Sequence, residues 1–235
     1  MNVEQPLSLT TREVRNRVAL LACLLACGAF PLAMLAVRVT VSARMSYAFL
    51  VWNLFLAGLP VLFALGSEAA LRHRHMVTAG VLGAGWLVLF PNSPYLVTDL
   101  IHLREQPPTP LWFDALILVS AAVAGLLAGF VSLHLVQGAV SRIWGVAAGW
   151  VVAVAVLGLS GFGVYLGRFA RYNSWDLLTR PRTLLYDVRS AVDPTADGRA
   201  IVVTVLFSSF LLVTYATVEL LGSIGPGPGV GEDRR

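Results

Sequence analysis

Asp99 and His102 stand three residues apart in Phe90-Pro-Asn-Ser-Pro-Tyr-Leu-Val-Thr-Asp-Leu-Ile-His-Leu103, at the end of an apolar run. A carboxylate and an imidazole one helical turn apart can serve as an acid/base pair or as ligands lining a pocket. Two such groups are too few to hold a metal. The nearest third ligand would be Asp114, in Leu111-Trp112-Phe113-Asp114, and no metal site is expected. A second group of chemistry-bearing residues lies in Gly167-Arg-Phe-Ala-Arg-Tyr-Asn-Ser-Trp-Asp176. There Arg168 and Arg171 could grip a phosphate or carboxylate through their forked guanidinium groups. Asn173, Trp175 and Asp176 add a dense polar-aromatic cluster.

The backbone around Asp99 carries its own signal. Pro91 disfavours α conformation at Phe90 and interrupts the helical ladder, leaving Asn92 in the break. Ser93-Pro94 then predicts a restart, with a hydroxyl N-cap and proline at the first helical position. On an ideal helix from there, Tyr95, Thr98, Asp99 and His102 share one polar arc, and the leucines occupy the rest. The plain alternative is a helix end meeting water. From Met76 to Phe90 the rise is about 22 Å, which puts Asp99 and His102 near the membrane interface, where charge is cheap.

The elements that must position these residues are membrane spans. Only 13% of the chain is charged and 57% is hydrophobic, with a mean hydropathy of +0.75. Soluble domains carry about 25% charged residues, so this composition belongs to a bilayer protein. Apolar runs of spanning length fall at about 18–37, 46–66, 76–97, 111–136, 143–167 and 200–221. The expected architecture is an all-α bundle of six transmembrane helices, the third broken at Pro91/Pro94. Residues 1–17 precede the bundle as an N-terminal segment, and Thr10 with Glu13 forms a capping box that starts the first helix ahead of the membrane. The connection 168–199 is predicted to hold a short interfacial amphipathic helix from Pro181, with Leu184, Leu185, Val188, Ala191 and Val192 on one side and Arg182, Asp187 and Arg189 on the other. The Gly- and Pro-rich stretch 222–235 is predicted to be disordered.

All 17 basic residues are arginine, and they sit in short connections between apolar runs, which points to topology and lipid headgroups rather than nucleic acid. The two membrane sides receive eight and nine of them. That count does not orient the chain, although the usual dominance of the first span favours termini in the cytoplasm. Parity is firmer: with six spans, the first, third and fifth connections share one side. Asp99, His102, Asp114 and the 168–199 connection therefore face the same water. For the arginines there, the plain alternative is snorkelling to phospholipid phosphates.

Cys23 and Cys27 lie four apart on one helical face and read as small buried hydrophobes. Gly158-Leu159-Ser160-Gly161 matches the Gly-x-Ser-Gly around a rhomboid protease nucleophile, but the last span holds no histidine to activate it. These glycines, with Gly125 and Gly129, read more simply as small-residue packing. The residues name no cofactor.

The blocks Phe90–Leu103, Leu111–Asp114 and Gly161–Asp176 resemble a bacterial membrane family catalogued as a domain of unknown function, number 1361, over roughly residues 45 to 220. The resemblance implies a polytopic protein of the bacterial plasma (inner) membrane and supplies no reaction. Three functions fit the residues. One is a binding or transport protein, its partners the lipid bilayer and an anionic lipid or small-molecule ligand. Another is a membrane enzyme on a lipid-linked substrate, with Asp99 or His102 as base. The third is an assembly subunit with no ligand.

Overall fold

The computed structural model describes residues 10–172, 174, 176–191 and 198–223, and these are almost wholly helical. In chain order they form α1 (Thr11–Ser42), α2 (Phe49–Arg72), α3 (Met76–Leu89), α4 (Asn92–Tyr95), a 3₁₀ helix (Leu96–His102), α5 (Leu111–Trp144), α6 (Val146–Arg168), α7 (Asp176–Thr179), α8 (Pro181–Ala191) and α9 (Arg199–Ser223). Among the described residues six segments are long and apolar enough to cross a bilayer: α1, α2, the run from α3 through the 3₁₀ helix, α5, α6 and α9. The chain is a multi-pass all-α membrane bundle.

Helix ends follow local chemistry more than hydropathy. The Glu13 amide donates to the Thr10 hydroxyl while the Thr10 amide donates to the Glu13 carboxylate, so α1 begins well before the apolar run. The fourth span overshoots its apolar limit: α5 continues to Trp144, because no proline stops it. The link to α6 is Gly145 alone, whose φ of 88° suits a residue without a Cβ. Gly222 and Ser223, expected in the tail, complete α9; residues 224–235 lie outside the described residues.

Helix α5 is the axis of the bundle, packing against α1, α2, α4, the 3₁₀ helix and α6, while α9 packs on α6 and α3 on α2. Two apolar clusters form around it. Trp86, Phe90, Phe130, Leu157 and Tyr215 make one; Leu35, Leu50, Leu96, Ile117 and Leu118 make the other.

The third span breaks at Pro91 as expected, with α3 ending at Leu89 and α4 beginning at Asn92, but the backbone through the break keeps a helical twist. Phe90 (φ −53°, ψ −41°) and Pro91 (φ −60°, ψ −20°) both stay right-handed helical. The bias against α conformation before proline is a preference, and here packing overrides it. The Phe90 carbonyl, which Pro94 cannot serve, takes the Ser93 amide instead at 3.0 Å. The segment therefore restarts at Asn92 in a short α turn and tightens into the 3₁₀ helix. Ser93 is not an N-cap: its hydroxyl donates to the Ala57 carbonyl of α2 at 2.8 Å. Pro60 cannot donate to the adjacent Leu56 carbonyl, which loosens that turn of α2. In a 3₁₀ helix residues i and i+3 eclipse, so the polar arc becomes two rows, Tyr95 with Thr98 and Asp99 with His102.

Glycines hold this segment between α5 and α6. A Cβ at Gly125 would lie 2.5 Å from the Ser93 carbonyl oxygen, and one at Gly129 would lie 3.0 Å from the Ser93 Cβ. From the other side Gly163 meets Pro91, and Gly167 meets the Tyr95 ring. Gly125→Ala is expected to lower stability by about 1–3 kcal/mol, because the obstructing atom is backbone. Gly158→Ala, with nothing within 4 Å, should be neutral or stabilising. Unfolding in detergent micelles compares the two, and equal midpoints would contradict the close fit.

Candidate functional site

Arg168, the last residue of α6, is the hub of the polar face. Its Nη2 donates to Asp99 Oδ1 at 2.5 Å, and its Nε and Nη2 reach the Thr98 hydroxyl at 3.0 and 2.7 Å. The Thr98 hydroxyl in turn donates a hydrogen bond to the Tyr95 carbonyl. The guanidinium carbon sits 4.8 Å from the centre of the Tyr95 ring, a cation–π contact. His102 Nε2 lies 3.1 Å from Arg168 Nη1. A guanidinium only donates, so Nε2 accepts and the ring proton belongs on Nδ1. The other Asp99 oxygen takes the Asn53 amide of α2 at 2.8 Å. Asp99 is 1% exposed, and both of its oxygens are committed.

These residues sit in a cleft of about 1030 Å³ between α2 and α6, floored by the third span. Asn53, Asn92, Tyr95, Asp99, His102, Arg168 and Arg171 line its polar part; Trp52, Leu87, Val88, Leu159 and Phe162 line its apolar part. Asn92 donates to the Leu89 carbonyl and to the Ser174 hydroxyl, which ties the long connection to the third span. Arg171 has no hydrogen-bond or ion-pair partner among the described residues, and its φ of 59° is left-handed. Such a conformation costs a non-glycine residue about 1–2 kcal/mol. Beside it, the Tyr172 hydroxyl donates to Asp187 of α8 at 2.7 Å, and that bond pushes the phenol above its ordinary pKa. Asp187 therefore anchors α8, although its helix position suggested a solvated face.

Asp114 does not join this site. Its carboxylate is taken by Arg38 of α1, through Nε to Oδ1 at 2.6 Å and Nη2 to Oδ2 at 3.0 Å. Both side chains are fully buried. The Tyr47 ring stacks under the guanidinium, with 4.8 Å from its carbon to the ring centre. The Tyr47 hydroxyl reaches Asp114 Oδ2 at 3.4 Å and the His102 carbonyl at 3.3 Å, and Gln106 donates to it. Burial, followed by the Asp114 charge, pushes this phenol up, so it remains a donor. Asp114 is thus a partner to Arg38 and no third ligand. Among the described residues no three of His, Cys, Asp and Glu gather as a metal site.

Parity is confirmed, since Tyr47, His102, Gln106, Arg168 and Ser174 all meet at one end of the bundle. Of the other expected residues, Asp176 is buried at the start of α7, where the Thr179 hydroxyl donates to it, and it does not line the cleft. Asn173 and Trp175 lie outside the described residues. Arg38, Tyr47, Asn53 and Gln106 were not anticipated. Asn53 carried a signal, as an amide inside a spanning run. Hydropathy places Arg38 in a connection, whereas it lies within α1 and is fully buried. Ser160 is buried in α6, and α9 supplies no histidine, so the rhomboid-like tetrapeptide is packing sequence.

A family model described as "Protein of unknown function (DUF1361)" matches residues 52–214. No curated protein and no solved structure matches the chain.

Proposed function

The chain belongs to the DUF1361 family of proteins of unknown function, and on that premise we propose that it binds an anionic amphiphile in the cleft between α2 and α6. The head would sit at Arg168 and Arg171, with the apolar body along Trp52, Leu87 and Leu159. One observation carries this reading: a single cleft of about 1030 Å³ joins a cationic end to an apolar wall. Asp99 neutralises Arg168, and Arg171 is left over, so the polar end is net positive. Trp52 and Leu159 are more than half exposed, so in a bilayer the apolar wall faces hydrocarbon and an acyl or prenyl chain can enter sideways.

Binding fits the geometry better than acid/base catalysis. A general base must be able to aim a lone pair at substrate, while Asp99 is buried in an ion pair with Arg168 and His102 Nε2 already accepts from that arginine. The left-handed Arg171 also supports a site, since backbone strain in a non-glycine residue gathers where function requires it. The proposed location is the plasma (inner) membrane of a bacterium. An α-helical bundle suits that bilayer, outer membranes being spanned by barrels, and the bacterial placement rests on the sequence resemblance.

Arg171→Gly separates ligand from fold, because glycine adopts φ near 59° without strain. The melting temperature in detergent should stay level or rise. Native mass spectrometry of the full chain should show an amphiphile retained by wild type and retention about ten-fold lower in the variant, the equivalent of about 1.4 kcal/mol. Equal retention would overturn the reading. A wild type that retains nothing would favour an assembly subunit.

A further inference from the structure

The opposite end of the bundle carries a second arrangement that the cleft does not use. Glu68, 3% exposed near the end of α2, is surrounded by three arginines from three helices. Arg17 of α1 reaches its two oxygens at 2.7 and 2.9 Å, Arg72 at 2.8 Å one turn along α2, and Arg142 of α5 at 2.9 Å. Three of these contacts converge on Oε1 and the fourth falls on Oε2, so the three guanidinium groups crowd one carboxylate. One negative charge therefore serves three positive ones, leaving a surplus of two. Glu13, one turn before Arg17 and itself tied to Thr10, offsets part of it. The Arg142 side chain is 49% exposed, so its charge is presented outward while its Nε is fixed on the Gly138 carbonyl at 3.1 Å.

An apolar groove of about 100 Å³ begins at this cluster and runs between α2 and α5, lined by Leu71, Leu135, Val136, Val140 and Ile143. Trp144 stands at its rim, 70% exposed, where an indole marks the headgroup level of a bilayer. Surplus cation, exposed indole and apolar groove lie together at this end of the bundle, and a phospholipid's phosphate, interfacial region and acyl chain call for those three features. We propose that this end of the bundle is a specific site for an anionic phospholipid, its phosphate held by Arg142 and Arg17 and the start of one acyl chain laid in the α2/α5 groove. Snorkelling arginines meet lipid phosphates singly and exchange them freely. Here Glu68 fixes three guanidinium groups in one place before any lipid arrives, and such preorganisation lowers the cost of binding.

The test uses the full chain in nanodiscs of mixed phosphatidylglycerol and phosphatidylcholine, followed by stepwise delipidation and native mass spectrometry. Wild type should keep one phosphatidylglycerol after the annular lipid is gone. Arg142→Gln should lower that retention at least five-fold. Ile143→Glu, at a half-exposed groove position, leaves the arginine cluster untouched and should lower it as well, so the outcome stands even if Arg142→Gln folds poorly. Arg171→Gly in the cleft should leave it unchanged, which separates this site from the amphiphile proposed above. Retention without headgroup preference, or retention unchanged in Ile143→Glu, would overturn the proposal. So would displacement of the lipid by millimolar inorganic phosphate alone, since the cluster would then be an anion site without a chain.

Discussion

Asp114→Ala, with Arg38 left in place, is expected to remove most of the folded protein from the membrane. Breaking a buried ion pair from one side costs about 3–5 kcal/mol, because the surviving charge loses its counter-ion without regaining water. Arg38 has no escape by deprotonation, and its Nη1 already lacks a partner in the buried network. Against a total stability of about 5–15 kcal/mol, that loss is large. The double variant Arg38→Met/Asp114→Leu is expected to recover most of it, since apolar groups of similar volume often replace a buried pair without penalty. Folded yield by size-exclusion chromatography and unfolding midpoints in detergent decide the matter. An Asp114→Ala protein as stable as wild type would show that water reaches Arg38 after all.

That pair also shows where sequence reasoning ran out. Six spans were legible because the bilayer imposes length and hydropathy on each segment separately, so no knowledge of neighbours was needed. Parity then placed Asp99, Asp114 and Arg168 at one end, and all three are there. Parity orders residues along the membrane normal and says nothing of their position around the bundle. Arg38 and Asp114 are 76 residues apart, and only the packing of α1 against α5 sets Asp114 aside from Asp99. The break in the third span was legible, but its manner of restarting was not, for a related reason. The proline rules describe an isolated backbone, whereas Gly125, Gly129, Gly163 and Gly167 let two helices press close against the Pro91 turn and the short helices that follow it. The glycines were recognised as packing residues, but not which segment they would receive.

The two Arg–Asp pairs are joined through Tyr47, which touches the Asp114 carboxylate and the His102 carbonyl. They differ in access: Arg38 is sealed, while Arg168 lines the cleft with its side chain 16% exposed. The first pair can only hold helices together. The second holds a cation at the edge of a cavity.

Arg168→Gln and Asp99→Asn should therefore both lower stability while changing ligand retention in opposite directions. Arg168→Gln strands a nearly buried carboxylate and is expected to cost about 3–5 kcal/mol, with retention of the cleft amphiphile falling about ten-fold or more as the cation disappears. Asp99→Asn keeps the shape and an oxygen for the Asn53 amide, but weakens charge-assisted bonds worth about 1.5–3 kcal/mol each. Its ligand effect has the other sign. Two unit charges 4 Å apart interact by about 4 kcal/mol in a surface-like medium, so removing a carboxylate from beside a bound anion relieves repulsion and frees Arg168 donors. Retention should hold or rise several-fold. Native mass spectrometry and unfolding measured on the same preparations give both readouts. If Asp99→Asn folds and loses the amphiphile as Arg168→Gln does, Asp99 must touch the ligand itself. Its role would then be direct contact or proton transfer, and the charge-balancing account of the cleft would fail.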